Sequence, residues 1–107
     1  PIAICDKDSI IAVAGTPSRK EYLEKPVSLS LSSLMARRRE YSAANVKTAI
    51  ELTDGGDGRI SCFSPIIADG DVVGAVMSLM QNDGVPTETE QKLVSAGAMF
   101  LAKQTEI

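Results

Sequence analysis

Apolar and polar positions are most densely organised between Ile60 and Gln81, ISCFSPIIADGDVVGAVMSLMQ, where two β-rich runs flank Asp69-Gly70. Asp-Gly between apolar runs predicts a hairpin, because a type I′ turn needs φ > 0 at both central residues. A two-residue turn pairs Ala68 with Asp71 and Ile67 with Val72. Strict alternation then puts Ile66–Val73, Ser64–Ala75, Cys62–Met77 and Ile60–Leu79 on one face, and Ile67–Val72, Pro65–Gly74, Phe63–Val76 and Ser61–Ser78 on the other. Both faces are largely apolar, so the hairpin sits mid-sheet with cover on each side. Gly74, opposite Pro65, predicts a close backbone approach or a bulge.

The remaining pattern supplies the rest of the sheet and its cover. Pro1-Ile2-Ala3-Ile4-Cys5 reads as a strand, Asp6-Lys7-Asp8-Ser9 as a turn and Ile10–Ala14 as the return strand, pairing Cys5 with Ile10 and Ile4 with Ile11. Termini are usually frayed, so a chain that opens in a strand reads as a piece of a longer protein. Ser18-Arg19-Lys20-Glu21 has the spacing of a capping box, and a short helix through Tyr22 and Leu23 stops before Pro26. Ser28–Glu40 predicts a longer helix with Leu31, Leu34 and Met35 on one face, although Ser28-Leu29-Ser30-Leu31 also alternates like a strand. Arg37-Arg38-Arg39 suit the negative end of the helix dipole; an anionic ligand is the alternative. Val46–Leu52 reads as a strand, with Val46, Thr48, Ile50 and Leu52 on one side. Residues 53–58 form an Asp/Gly loop that lacks the calcium-loop spacing and its closing Glu. Asn82–Pro86 is a turn. Thr87-Glu88-Thr89-Glu90 is a second capping box, opening a helix to about Thr105. Leu93, Val94, Ala96, Gly97, Phe100 and Leu101 form its wide apolar stripe.

The order β-β-α-α-β-β-β-α predicts an α+β fold. One antiparallel sheet carries the C-terminal helix on one face and two shorter helices with loops on the other.

Composition narrows the chemistry. The 107 residues fit one domain, and 44% hydrophobic with 23% charged residues is ordinary for a globular domain. A net charge of −3 argues against nucleic-acid binding by this stretch. No apolar run reaches membrane-spanning length, and no secretory signal is visible. Without His there is no Ser-His-Asp or Cys-His nucleophile, and two separated cysteines cannot hold zinc, so neither metal nor cofactor is expected. Cys5 and Cys62 read as buried free thiols, which fits a reducing cytoplasm.

This layout is the one shared by GAF and PAS sensor domains, although effector domains of IclR-type repressors carry similar hairpins. Three stretches sharpen the match: Ile4-Cys5-Asp6-Lys7-Asp8-Ser9-Ile10-Ile11-Ala12-Val13-Ala14-Gly15, Lys20-Glu21-Tyr22-Leu23-Glu24-Lys25, and Ser64-Pro65-Ile66-Ile67-Ala68-Asp69-Gly70-Asp71 through Val76. Together they resemble the C-terminal GAF-like domain of the stage V sporulation protein T family, AbrB-type transcription regulators of spore-forming bacteria. The resemblance covers nearly the whole chain. It implies a regulatory domain that forms dimers or tetramers and responds to a small molecule. DNA is bound by an N-terminal domain which, like the helix that should precede Pro1, is not in this chain.

Three hypotheses follow. A sensing module would line its pocket with Leu31 and Met35 from the middle helix, Ile50 from the third strand, and Cys62, Ser64 and Met77 from the hairpin. Thr48, Ser78 and Arg37 add polar groups, and the alternative is that this hairpin face packs under the C-terminal helix. A pure assembly module would associate through the small-residue helix, at Leu93, Gly97, Ala98 and Leu101. An enzyme reducing methionine sulfoxide would need Cys5 or Cys62 exposed, with a lowered pKa.

Overall fold

In a computed structural model, residues 1–45, 47–81 and 86–106 are described. The strands are β1 (Ile2–Asp6), β2 (Ile10–Ala14), β3 (Tyr41–Ser42), β4 (Ile60–Ala68) and β5 (Asp71–Leu79); the helices are α1 (Arg19–Tyr22), α2 (Leu29–Ala36) and α3 (Glu88–Thr105). The element order matches the predicted one, except that the third strand is Tyr41–Ser42 and not the expected 46–52. The five strands form one antiparallel sheet in the order β2-β1-β5-β4-β3. Helix α3 covers one face, over Cys62, Ile66 and Val76, while α2 covers the other, over Phe63, Ala75 and Met77. This is consistent with a GAF/PAS-like layout.

The β4–β5 hairpin turns as its sequence dictates. Asp69 (φ 52°) and Gly70 (φ 85°) both take positive φ, and Ala68 faces Asp71. Two residues later the register departs from strict alternation. Ile67 pairs with Val72 but Ile66 pairs with Gly74, leaving Val73 as an unpaired extra residue. One inserted residue reverses every side chain beyond it relative to the partner strand. Met77 therefore faces Phe63 rather than Cys62, and Val76 faces Ser64. A second bulge at Ser61 restores the pairing of Ile60 with Leu79. Gly74 makes the close approach expected of it: it pairs with Asp6, and a Cβ there would run into the Cys5 carbonyl oxygen. The first hairpin behaves likewise. Cys5 pairs with Ile10, but Ile4 pairs with Ala12, so Ile11 bulges outward.

The helix ends show where local signals lose to tertiary demands. At Ser18 the capping box does not form: the side chain makes no cap hydrogen bond, and α1 is a single turn. Ser28 caps α2 instead, its Oγ accepting from the Leu31 amide at 2.9 Å while donating to the Glu51 carbonyl at 2.7 Å. Leu31, Leu34 and Met35 are its buried face, as the spacing predicts. The helix stops at Ala36 rather than Glu40 because Arg38 turns into the left-handed region (φ 60°), which frees Tyr41 to pair with Phe63.

The expected strand over 46–52 is replaced by something shorter, with Val46 itself outside the described residues. Two stretches line the outer edge of β4. Tyr41–Ser42 form β3, while Ile50 accepts from the Ile60 amide and the Leu52 amide donates to Gly58. Thr48 is turned away, its amide donating to Asn45 Oδ1 at 3.1 Å. A side-chain acceptor of this kind competes with ladder pairing. Residues 53–58 are turns, and no group of three His, Cys, Asp or Glu among the described residues could hold a metal. Of the turn predicted over Asn82–Pro86, residues 82–85 lie outside the described residues.

Candidate functional site

The bulge at Val73 divides the six expected pocket residues between the two faces. Leu31, Met35 and Met77 lie together in the α2-side core with Ile50 packed against them, whereas Cys62 lies under α3. Ser64, two residues on, shares the face of Cys62. Leu31 and Met77 are fully buried and Met35 nearly so, in a core completed by Phe63, Leu52 and Ile10. Apolar side chains already occupy the space where a ligand was expected.

The α3 face holds a polar row instead. Ser61 and Ser78, on neighbouring strands, both donate to Glu90 Oε2, at 3.1 and 3.0 Å, and Ser64 donates to Glu40 Oε2 at 2.9 Å. The second capping box is therefore half made. Thr87 Oγ1 accepts from the Glu90 amide, but the Glu90 carboxylate is drawn to the sheet. Glu90 ties the start of α3 to two buried serines. Glu90→Ala should lower stability by about 1–3 kcal/mol, because it strands two buried hydroxyls. Urea unfolding measures this, and an unchanged midpoint would remove the tie.

Cys62 sits beside this row. Burial, with the Glu90 and Glu40 carboxylates nearby, pushes its thiol up to about 11; burial pushes Cys5 up to about 12. Thiols so placed are not activated nucleophiles. The crevice along Cys62, Tyr41 and Val94 measures about 20 Å³, room for a single water. The sulfoxide-reducing reading needed an exposed thiol of lowered pKa, and both thiols are buried and shifted the other way.

The four assembly residues also separate. Ala98 is buried against the sheet, Gly97 and Leu101 are half-buried, and Leu93 is 59% exposed. A bulky residue at Ala98 would therefore strike the core rather than probe an interface. Nor does packing demand glycine at 97, where a Cβ would meet Val76 Cγ1 at an ordinary 3.6 Å. The sheet-facing side of α3 is Val94, Ala98 and Ala102. Phe100, expected in the core stripe, is 62% exposed, and Met99 is 68% exposed. With Leu93 and Ala96 they form exposed apolar positions on the outer side of α3, interrupted by the exposed Lys92 and Lys103.

Open cavities of ligand size include one of about 460 Å³ between Glu21, Lys25, Pro26 and the 53–56 loop, and two at the rim of α2. An open cavity of about 330 Å³ is lined by Lys7, Ser32, Met35, Arg38, Asp71 and Val72. A shallower one of about 260 Å³, on the other flank of the helix, includes Ile50 and Arg37. Of the six expected pocket residues, Met35 alone borders the larger of the two at α2. The turn that presents Lys7 is ordered by Asp6, whose Oδ1 accepts from the Asp8 and Ser9 amides at 2.8 Å each. Those amides, Ser9 first, hold the Asp6 carboxyl below its ordinary pKa. Sequence reasoning missed Lys7, in the β1–β2 turn, and Asp71, the first residue of β5, which lie far apart along the chain and meet only through folding.

The family model described as "Stage V sporulation protein T C-terminal, transcription factor" matches residues 1–106. Stage V sporulation protein T of Bacillus subtilis (strain 168) is 37% identical over 107 residues, an alignment covering 98% of this chain and 58% of the relative. The chain thus spans little more than half of that protein. These similarities favour the sporulation family over the IclR-type reading that the hairpin alone allowed.

Proposed function

Because the chain belongs to the stage V sporulation protein T C-terminal family, a transcription-factor family, we propose that it is the self-associating, effector-responsive regulatory domain of a longer cytoplasmic sporulation regulator. A separate N-terminal domain of that protein binds the DNA. This chain's net charge of −3 suits a domain that leaves phosphate contacts to another. Among the described residues no helix is long and apolar enough to cross a membrane.

The observation that carries self-association is the outer face of α3. Leu93, Met99 and Phe100 are each more than half exposed, while Ala96, one turn from Leu93, is small enough for a second helix to approach closely. A second copy is the natural occupant, because regulators that read two half-sites are symmetric and an apolar helix face is self-complementary across a two-fold axis. On this reading Leu93 keeps its expected part in assembly and is joined by Ala96 and Phe100, while Ala98 and Leu101 pack toward the sheet.

Native mass spectrometry and analytical ultracentrifugation test this. The protein should be a dimer or larger, and Leu93→Asp combined with Phe100→Asp should weaken association at least about tenfold while leaving the circular dichroism unchanged. A wild-type monomer, or a double variant that still associates, would rule out α3 as the interface. Excess mass on the native oligomer would report a co-purified effector.

A further inference from the structure

We propose that the cavity of about 330 Å³ at the C-terminal end of α2 binds a small monocarboxylate with a short apolar chain, held at its carboxylate by Lys7 and Arg38. The proposal rests on the effector-responsive half of the reading above and supplies its ligand class.

Three separate elements meet here: the β1–β2 turn brings Lys7, the end of α2 brings Met35 and Arg38, and the start of β5 brings Asp71 and Val72. In a protein of net charge −3, two cationic residues line one opening. Among the described residues neither takes part in an ion pair. Asp71 leaves the lining with one net positive charge, which suits a singly charged ligand better than a phosphate dianion. Met35 and Val72, nearly buried, form an apolar wall for the rest of the ligand, and the exposed Ser32 adds a hydroxyl.

Arg38 carries the argument furthest. It occupies the left-handed position just past the helix (φ 60°), where glycine is the unstrained residue. A strained arginine at that point contributes nothing to ending the helix that glycine would not do better. It does put an arginine in the cavity lining. Lys7 comes from the turn whose backbone Asp6 orders.

The test is an amide-resolved NMR titration with sodium hexanoate at constant ionic strength, using hexanamide and inorganic phosphate as comparison probes. Hexanoate should give saturable shifts at Lys7, Ser32, Arg38 and Val72. Arg38→Gly and Lys7→Gln should each weaken it at least about tenfold, and Arg38→Gly should melt no lower than the wild type. Equal binding of hexanamide, tighter binding of phosphate, or hexanoate binding that survives Arg38→Gly would overturn the proposal. So would the absence of saturable shifts in the wild type, which would leave self-association through α3 untouched. Saturable binding that leaves the oligomer unchanged would keep the site and remove its role in sensing.

Discussion

Gly74→Ala is expected to leave the chain largely unfolded at room temperature. Its Cβ would fall on the Cys5 carbonyl oxygen and within 3.1 Å of Asp6 Cα. Both are backbone atoms of β1, a strand held by hydrogen bonds to β2 on one side and β5 on the other. No flexible side chain can move aside, so β1 and β5 must separate where the sheet is most constrained. Losses above about 4 kcal/mol come from mechanisms of this kind, and a domain of this size has about 5–15 kcal/mol in total. Gly97→Ala is the control. Its Cβ has ordinary room beside Val76, and alanine is favoured over glycine within a helix by about 1 kcal/mol. Urea unfolding of the two variants should move in opposite directions. A Gly74→Ala protein that unfolds cooperatively near the wild-type midpoint would show that the β1–β5 approach is looser than described.

The second large effect is a collapse of stability at alkaline pH. Cys5 and Cys62 ionise near 9.0 when unfolded, but at about 12 and about 11 in the folded protein, chiefly because burial penalises the thiolate. Between those values the folded chain holds protons that the unfolded chain has released. Stability therefore falls as pH rises. Each thiol contributes a loss of about 1 kcal/mol per pH unit, both acting from about pH 9 to 11 and Cys5 alone to about 12. Burial raises the Tyr41 phenol as well, with the same sign. Below pH 9 the two thiols contribute no slope. Urea midpoints at successive pH values should show this break, and replacing both cysteines by alanine should flatten it, whatever the variant's stability at neutral pH. A midpoint that stays constant to pH 11 would mean that the thiols are reached by solvent. Native thiol labelling, expected to be slow at both positions, checks the same burial independently.

What could be read from the chain was whatever depends on neighbours in sequence. The Asp69-Gly70 turn follows from the φ values its two residues tolerate. The buried triplet Leu31, Leu34 and Met35 follows from helical spacing, and Thr87 caps α3 because its hydroxyl reaches an amide three residues on. Apart from the third strand, which lies at Tyr41–Ser42 and not at 46–52, the order of elements and the placing of helices on opposite sheet faces follow from runs of pattern that survive an error of a residue or two. The resemblance carried by three short stretches reached the right family.

Faces and partners required the tertiary structure. Period-two alternation assigns a side only while every residue is counted once; the unpaired Val73 breaks the count and separates Met77 from Cys62. The stripe on α3 is wide enough to cover two surfaces, and its residues do not say which half meets the sheet. Val94, Ala98 and Ala102 do so because they are short enough to lie flat on Cys62, Ile66 and Val76, which leaves Leu93 and Phe100 outside. Glu90 looked like half of a capping box, yet two buried serines on neighbouring strands compete for its carboxylate and win. Lys7, Arg38 and Asp71 share a cavity only because two hairpin turns and a helix end arrive at the same corner of the fold. Sequence by itself settles what a residue can do among its neighbours. The closing of the sheet decides which distant residues face one another, because a single inserted residue is enough to exchange its two sides.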